Sequence, residues 1–134
     1  MKNLTALLIM AIAVQLCSCK KNENLVTTHI KKVDVSLYGD WRLAGNYISS
    51  GGPQYFVPAT NATSTTFNID GSLTGTSFPN FNHYILIDSV TIKLTGAGTD
   101  YGTFLYKINE DTLKMSPIAP SICIEGCSVI LVKE

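Results

Sequence analysis

The sequence predicts an all-β domain, a small antiparallel up-and-down barrel of about eight strands. Three observations lead there. From Gly39 onward, apolar residues recur in short alternating runs separated by Gly, Pro, Asn and Asp. No run of helical period outlasts the oily stretch at the N-terminus. The runs follow one another through tight turns, and small proteins close such meanders into barrels to remove exposed edges. The length of 134 residues is one domain's worth, and only 15% of residues are charged. Ten Lys+Arg balance ten Asp+Glu, so there is no basic excess for nucleic acid and no acidic tail.

Trp41, Leu43, Gly45 and Tyr47 alternate with Arg42, Ala44 and Asn46 in the first strand, which residues 49–53 break. Gln54–Val57 is a short strand stopped by Pro58, which cannot donate to a ladder. Ser64–Ile69 follows, with Phe67 and Ile69 on one face, and returns as Ser72–Ser77 with Leu73 inward. Between them Asp70-Gly71 is the strongest hairpin signal, expected as a two-residue type I′ turn. Residues 78–82 are a loop; His83–Ile87 and Ser89–Leu94 pair around Asp88, and residues 96–98 end that hairpin. Tyr101–Ile108 is a long strand that turns through residues 109–111 into Thr112–Met115. Pro117–Ser121 is expected to be irregular, Ser128–Val132 closes the chain, and a further strand is the alternative around Ile122–Ile124.

The N-terminus reads as an address. Lys2 precedes a run from Leu4 to Leu16 whose only polar members are Thr5 and Gln15. That run falls short of the roughly 20 apolar residues a membrane span needs, and its charge-then-oil order is that of a secretory signal. Leu16-Cys17-Ser18-Cys19 then resembles the lipobox of bacterial lipoproteins, with a small residue just before the cysteine. The frame ending at Cys17 fits less well, because it puts bulky Leu16 in that slot. The resemblance implies cleavage after Ser18 and a lipid on Cys19 that holds the protein to a membrane. Lys20 and Lys21 stand where an Asp retains enteric lipoproteins in the inner membrane, which points to export to the outer membrane. The expected organisation is signal peptide over residues 1–18, lipidated Cys and flexible tether over 19–36, and barrel domain over 37–134.

Cys17 leaves with the signal and Cys19 takes the lipid, so Cys123 and Cys127 remain as an even pair in an oxidising compartment. They are expected to form a disulfide across a short turn. Their spacing could also suit a metal, but His29 and His83 show no paired ligand spacing, and no cofactor is expected.

Gly39-Asp40-Trp41-Arg42-Leu43, residues 66–73 with their Asp-Gly turn, Tyr106-Lys107-Ile108 with Asp111-Thr112-Leu113, and the closing turn of residues 123–127 resemble the lipocalin-like domains of small Gram-negative lipoproteins. The resemblance covers about residues 37–134 and implies a small barrel with structural roles for Trp41, Asp70 and Gly71. The domain is shorter than true lipocalins, which implies a calyx that is too small or absent.

Tyr55, Phe56, Phe78, Phe81, Tyr84 and Tyr101 cluster around loops and strand ends, where aromatics at a barrel mouth would suit a small apolar molecule or a glycan. The bland alternative is that strand alternation turns half of them into ordinary core. Trp41, the only tryptophan, is expected to cap the core. Asp70, Asp88, Asp100 and Asp111 all fall in turns, and neither histidine has a nucleophile or orienting carboxylate at catalytic spacing, so no enzyme is expected. Asp88-Ser89-Val90 and Asp111-Thr112-Leu113 resemble short bacterial O-glycosylation motifs. Two functions follow: a ligand-binding barrel, or a filled barrel that docks an envelope protein. Inward residue size separates them. Gly45, Gly75, Ala97 and Gly102 would leave room, whereas Leu73, Ile85, Ile87, Ile92 and Leu105 would fill it.

Overall fold

The alternating runs fold as antiparallel strands in the computed structural model, which describes residues 35–123 and 126–134. A 3₁₀ turn over Val35–Leu37 leads into β1 (Gly39–Ile48), β2 (Tyr55–Pro58), β3 (Ser64–Phe67) and β4 (Leu73–Gly75). Then come β5 (His83–Leu86), β6 (Thr91–Thr95), β7 (Tyr101–Asn109), β8 (Thr112–Ala119) and β9 (Ser128–Lys133). Neighbours in space follow the order β4-β3-β1-β9-β8-β7-β6-β5, with β2 also on β1. This is a sequential meander whose last strand pairs with its first, so the sheet curls into an almost closed barrel of eight staves. β2 and β3 share one stave: β3 pairs with Gly39–Arg42 of β1, and β2 pairs with Gly45–Ile48. The weak seam lies between β4 and β5. It is held by a single bridge, Ser72 to His83, with Leu73 N–H donating to Asn82 O and Tyr84 N–H to Gly71 O, both at 2.8 Å.

One end of the barrel is filled. Trp41, Leu37, Phe67, Leu73, Tyr84, Leu113 and Leu131 are buried in one cluster, each such side chain contributing ~1.5–3 kcal/mol by leaving water. The Trp41 indole donates to the Leu37 carbonyl at 2.7 Å, tying the approaching chain across the barrel floor. Lys133, from the last strand, lies 5.2 Å from the Trp41 ring centroid and donates to Ser36 O at 2.9 Å. Leu37 therefore joins Trp41 as the floor, and the described residues belong to one compact unit with its own core.

Several expectations are corrected. Asp70-Gly71 does not make a two-residue turn: Gly71 N–H donates to Asn68 O and Asn68 N–H to Ser72 O, both at 3.0 Å. The connection has three residues, Ile69 to Gly71, with only Gly71 at positive φ (85°). This is the type I turn plus glycine bulge that also connects hairpins. The Asp70 carboxylate accepts from the Ser72 hydroxyl at 2.7 Å and the Ser72 N–H at 2.9 Å, which holds its pKa below the usual value. β3 thus ends at Phe67, and Ile69, expected on the same face as Phe67, sits on the turn at 80% exposure.

The irregular stretch expected at Pro117–Ser121 is instead strand as far as Ala119. Pro117 pairs with Phe104 beside a register shift, beyond Met115, where β8 has parted from β9 and no donor is needed on that edge. The alternative strand at Ile122–Ile124 does not form at Ile122, which is exposed; Ile124 lies outside the described residues.

Of the expected fillers, Leu73 and Ile92 are buried, but Ile85, Ile87 and Leu105 face outward. Their neighbours Tyr84, Phe104 and Tyr106 take the inner positions. The small residues leave no room either: the rings of Phe104 and Phe81 close on Gly102, Phe56 covers Gly45, Ser64 abuts Gly75, and Ala97 is on an exposed loop.

Two outcomes test the filled end. Trp41→Phe, which strips the donor from the Leu37 carbonyl, should lower stability by ~1–3 kcal/mol in urea unfolding, and Trp41→Ala by ~3–5 kcal/mol. A Trp41→Phe protein as stable as the parent would mean that the indole bond contributes nothing.

The second concerns Tyr84, whose hydroxyl donates to Asn68 O at 2.6 Å and whose pKa burial pushes up to about 12 from an ordinary 10.0. The contribution is complete below pH 10.0, where both states hold the proton, and is lost as pH rises toward about 12, because only the unfolded chain has released it. Urea midpoints should fall across that window, and Tyr84→Phe should flatten the fall.

A candidate ligand pocket at the open end

The opposite end of the barrel carries a cavity of about 360 Å³, in the range of small-molecule sites. Asn46, Ile48, Val57, Phe104, Pro117 and Val129 line it, together with Tyr47, Cys127 and Ser128. The walls are therefore β1 and β2 on one side, β8 and β9 on the other, and Phe104 of β7 across from them.

A bulge in β1 decides which side chains reach this space. Leu43 pairs with Leu131 and Gly45 with Ile130, so Ala44 is an extra residue and the alternation of β1 shifts by one. Before the bulge Trp41 and Leu43 face inward; after it, Asn46 and Ile48 do. Asn46 pairs with Val129, which in turn pairs with the fully buried Met115. Gly45 and Tyr47 take the opposite parity, although Tyr47 still borders the cavity. The Phe56 ring covers Gly45 and meets the Tyr47 ring at 5.4 Å between centroids. Lys114, on the outer face of β8, lies 5.5 Å from the Tyr47 centroid. Unbroken alternation through Gly45 and Tyr47 was the expectation, and a glycine inside a strand was the available signal of a bulge.

The other side of Phe104 is filled. Phe78, on the loop between β4 and β5, is buried and meets Phe104 edge-on at 6.2 Å. Phe104 thus separates a filled region from an unfilled one.

The six aromatics expected at a mouth do not converge. Phe78 and Tyr84 are core, and Tyr84 belongs to the filled end, edge-on to Phe67 at 5.2 Å. Tyr55 and Phe56 are exposed on β2, and Tyr101 lies under Lys93 at 4.9 Å on the outer surface. Phe81 lines a separate cleft of about 300 Å³ with Asn80, Asn82 and Asp100. The residues that do line the mouth cavity were missed, because aliphatic strand residues carry no signal of their own.

Cys123 and Cys127 are joined as a disulfide, with Cα atoms 5.6 Å apart. Cys19 and His29 lie outside the described residues. His83 is exposed, its Nδ1 2.9 Å from Asn82 Oδ1. Among the described residues, no three His, Cys, Asp or Glu side chains gather to hold a metal, and no helix is long and apolar enough to cross a membrane. The chain matches no family model and no curated protein.

Proposed function

We propose that this chain is an exported lipoprotein, held to the outer membrane through a lipid on Cys19, whose lipocalin-like barrel binds one small apolar molecule at its open end. The observation that carries the reading is the mouth cavity of about 360 Å³ walled by Ile48, Val57, Phe104, Pro117 and Val129. Hydrocarbon walls favour an apolar ligand over a glycan, which needs several hydrogen-bonding side chains around it. The filled lower half sets the depth, so the ligand is small and sits near the rim. Export is supported by the lipobox-like Leu16–Cys19 segment and by the Cys123–Cys127 disulfide, a pairing that persists in oxidising compartments.

A second reading, a barrel that docks an envelope protein, is favoured by one surface. Ile85 on β5, Leu105 on β7, and Ile87 and Val90 in the β5–β6 connection are all exposed near Thr91, with which Leu105 pairs. Exposed apolar residues that adjoin one another are a mark of association sites.

Native mass spectrometry of residues 20–134, purified without detergent, should show a co-purifying adduct with the mass of a small, medium-chain apolar molecule. A clean apo mass would shift the weight to the docking surface. Cys19→Ala in the full chain should move the protein from the membrane fraction to the soluble one; unchanged fractionation would end the lipoprotein reading.

A further inference from the structure

Resting on that reading of the pocket, we infer that the site selects an uncharged amphiphile, whose apolar body fills the cavity and whose single polar group hydrogen-bonds to the side-chain amide of Asn46. Asn46 occupies the inward position just past the β1 bulge, half-buried. Its neighbours across the sheet are Val57 on one side and Val129 on the other, and both line the same cavity. Neither offers a polar atom in its side chain, and the hydroxyl of Ser128, at the same cavity, is already paired with Ser116 Oγ at 2.9 Å. Among the described residues the Asn46 amide makes no hydrogen bond to protein. An amide brings two donors and an acceptor, and covering it with an apolar ligand would leave them all unmade. A wholly hydrocarbon ligand is therefore penalised in this pocket, and one with a carbonyl, amide or hydroxyl is rewarded.

Charge narrows the class further. No Lys, Arg, His, Asp or Glu lines the cavity, and Lys114, on the outer face of β8, is engaged at 5.5 Å with the ring of Tyr47. An ionised head would lose its hydration with no counter-charge to replace it. Size sets the body: at ~30 Å³ per water-sized group, the cavity holds about a dozen such groups. Medium-chain amides, alcohols and ketones fit these limits, and carboxylates of the same length do not.

Three probes test this on residues 20–134 by calorimetric titration at pH 8, with thermal melts confirming folded protein: octanamide, octanoate and propylbenzene. Octanamide should bind at least tenfold more tightly than octanoate. Asn46→Leu should weaken octanamide about tenfold, equivalent to ~1.4 kcal/mol, while propylbenzene binds as well or better. Asn46→Asp is nearly isosteric and covers the case in which the leucine variant does not fold; it should weaken octanoate still further relative to octanamide. If octanoate binds as tightly as octanamide, or if octanamide is indifferent to both substitutions while propylbenzene still binds, the assignment to Asn46 is overturned and the apolar pocket stands. If none of the three binds the parent protein, the pocket reading fails and takes this inference with it.

Discussion

Strand β1 is the constraint on which the barrel depends. It is paired along both edges, with β9 on one side and with β3 and then β2 on the other. Pairing the first strand with the last turns a linear meander into an almost closed wall, leaving only β4 and β5 as edges that meet at the seam. The same strand carries Trp41 at its beginning and Asn46 near its end. One strand thus anchors the floor and furnishes the mouth, and the single extra residue at Ala44 separates those two tasks.

The floor gathers contributions from both ends of the domain. Leu37 precedes β1, Lys133 closes β9, and the Trp41 ring lies between them, bonded to one through its N–H and approached by the other over its face. An indole suits this place because it buries a large apolar area and still offers one donor to a carbonyl that would otherwise go without.

Much of the fold was legible in the sequence, because strand alternation and turn residues are local signals. The meander, the Pro58 stop and the turn after Asn109 all follow from residues read in short windows. What was not legible came from competition between neighbours. Tyr84-Ile85-Leu86-Ile87 is apolar on both faces, so periodicity alone could not choose, and the aromatic ring of Tyr84 took the interior with its hydroxyl satisfied by Asn68. The Asp70-Gly71 pair announced a turn correctly but not its length. The mouth cavity was hidden for a different reason: it depends on a shift of one residue in β1 and on which half of the rim Phe78 happens to fill, and neither is encoded at a single position.

The seam between β4 and β5 has a mechanical consequence. Around the circumference it lies away from the strands that wall the mouth cavity, which are zipped along most of their length. A barrel with one soft joint deforms there first, so a change in girth is absorbed at Ser72 and His83. The wall bearing Asn46 and Val129 keeps its shape while the far side yields, as the spine of a ring binder stays rigid when the clasp gives.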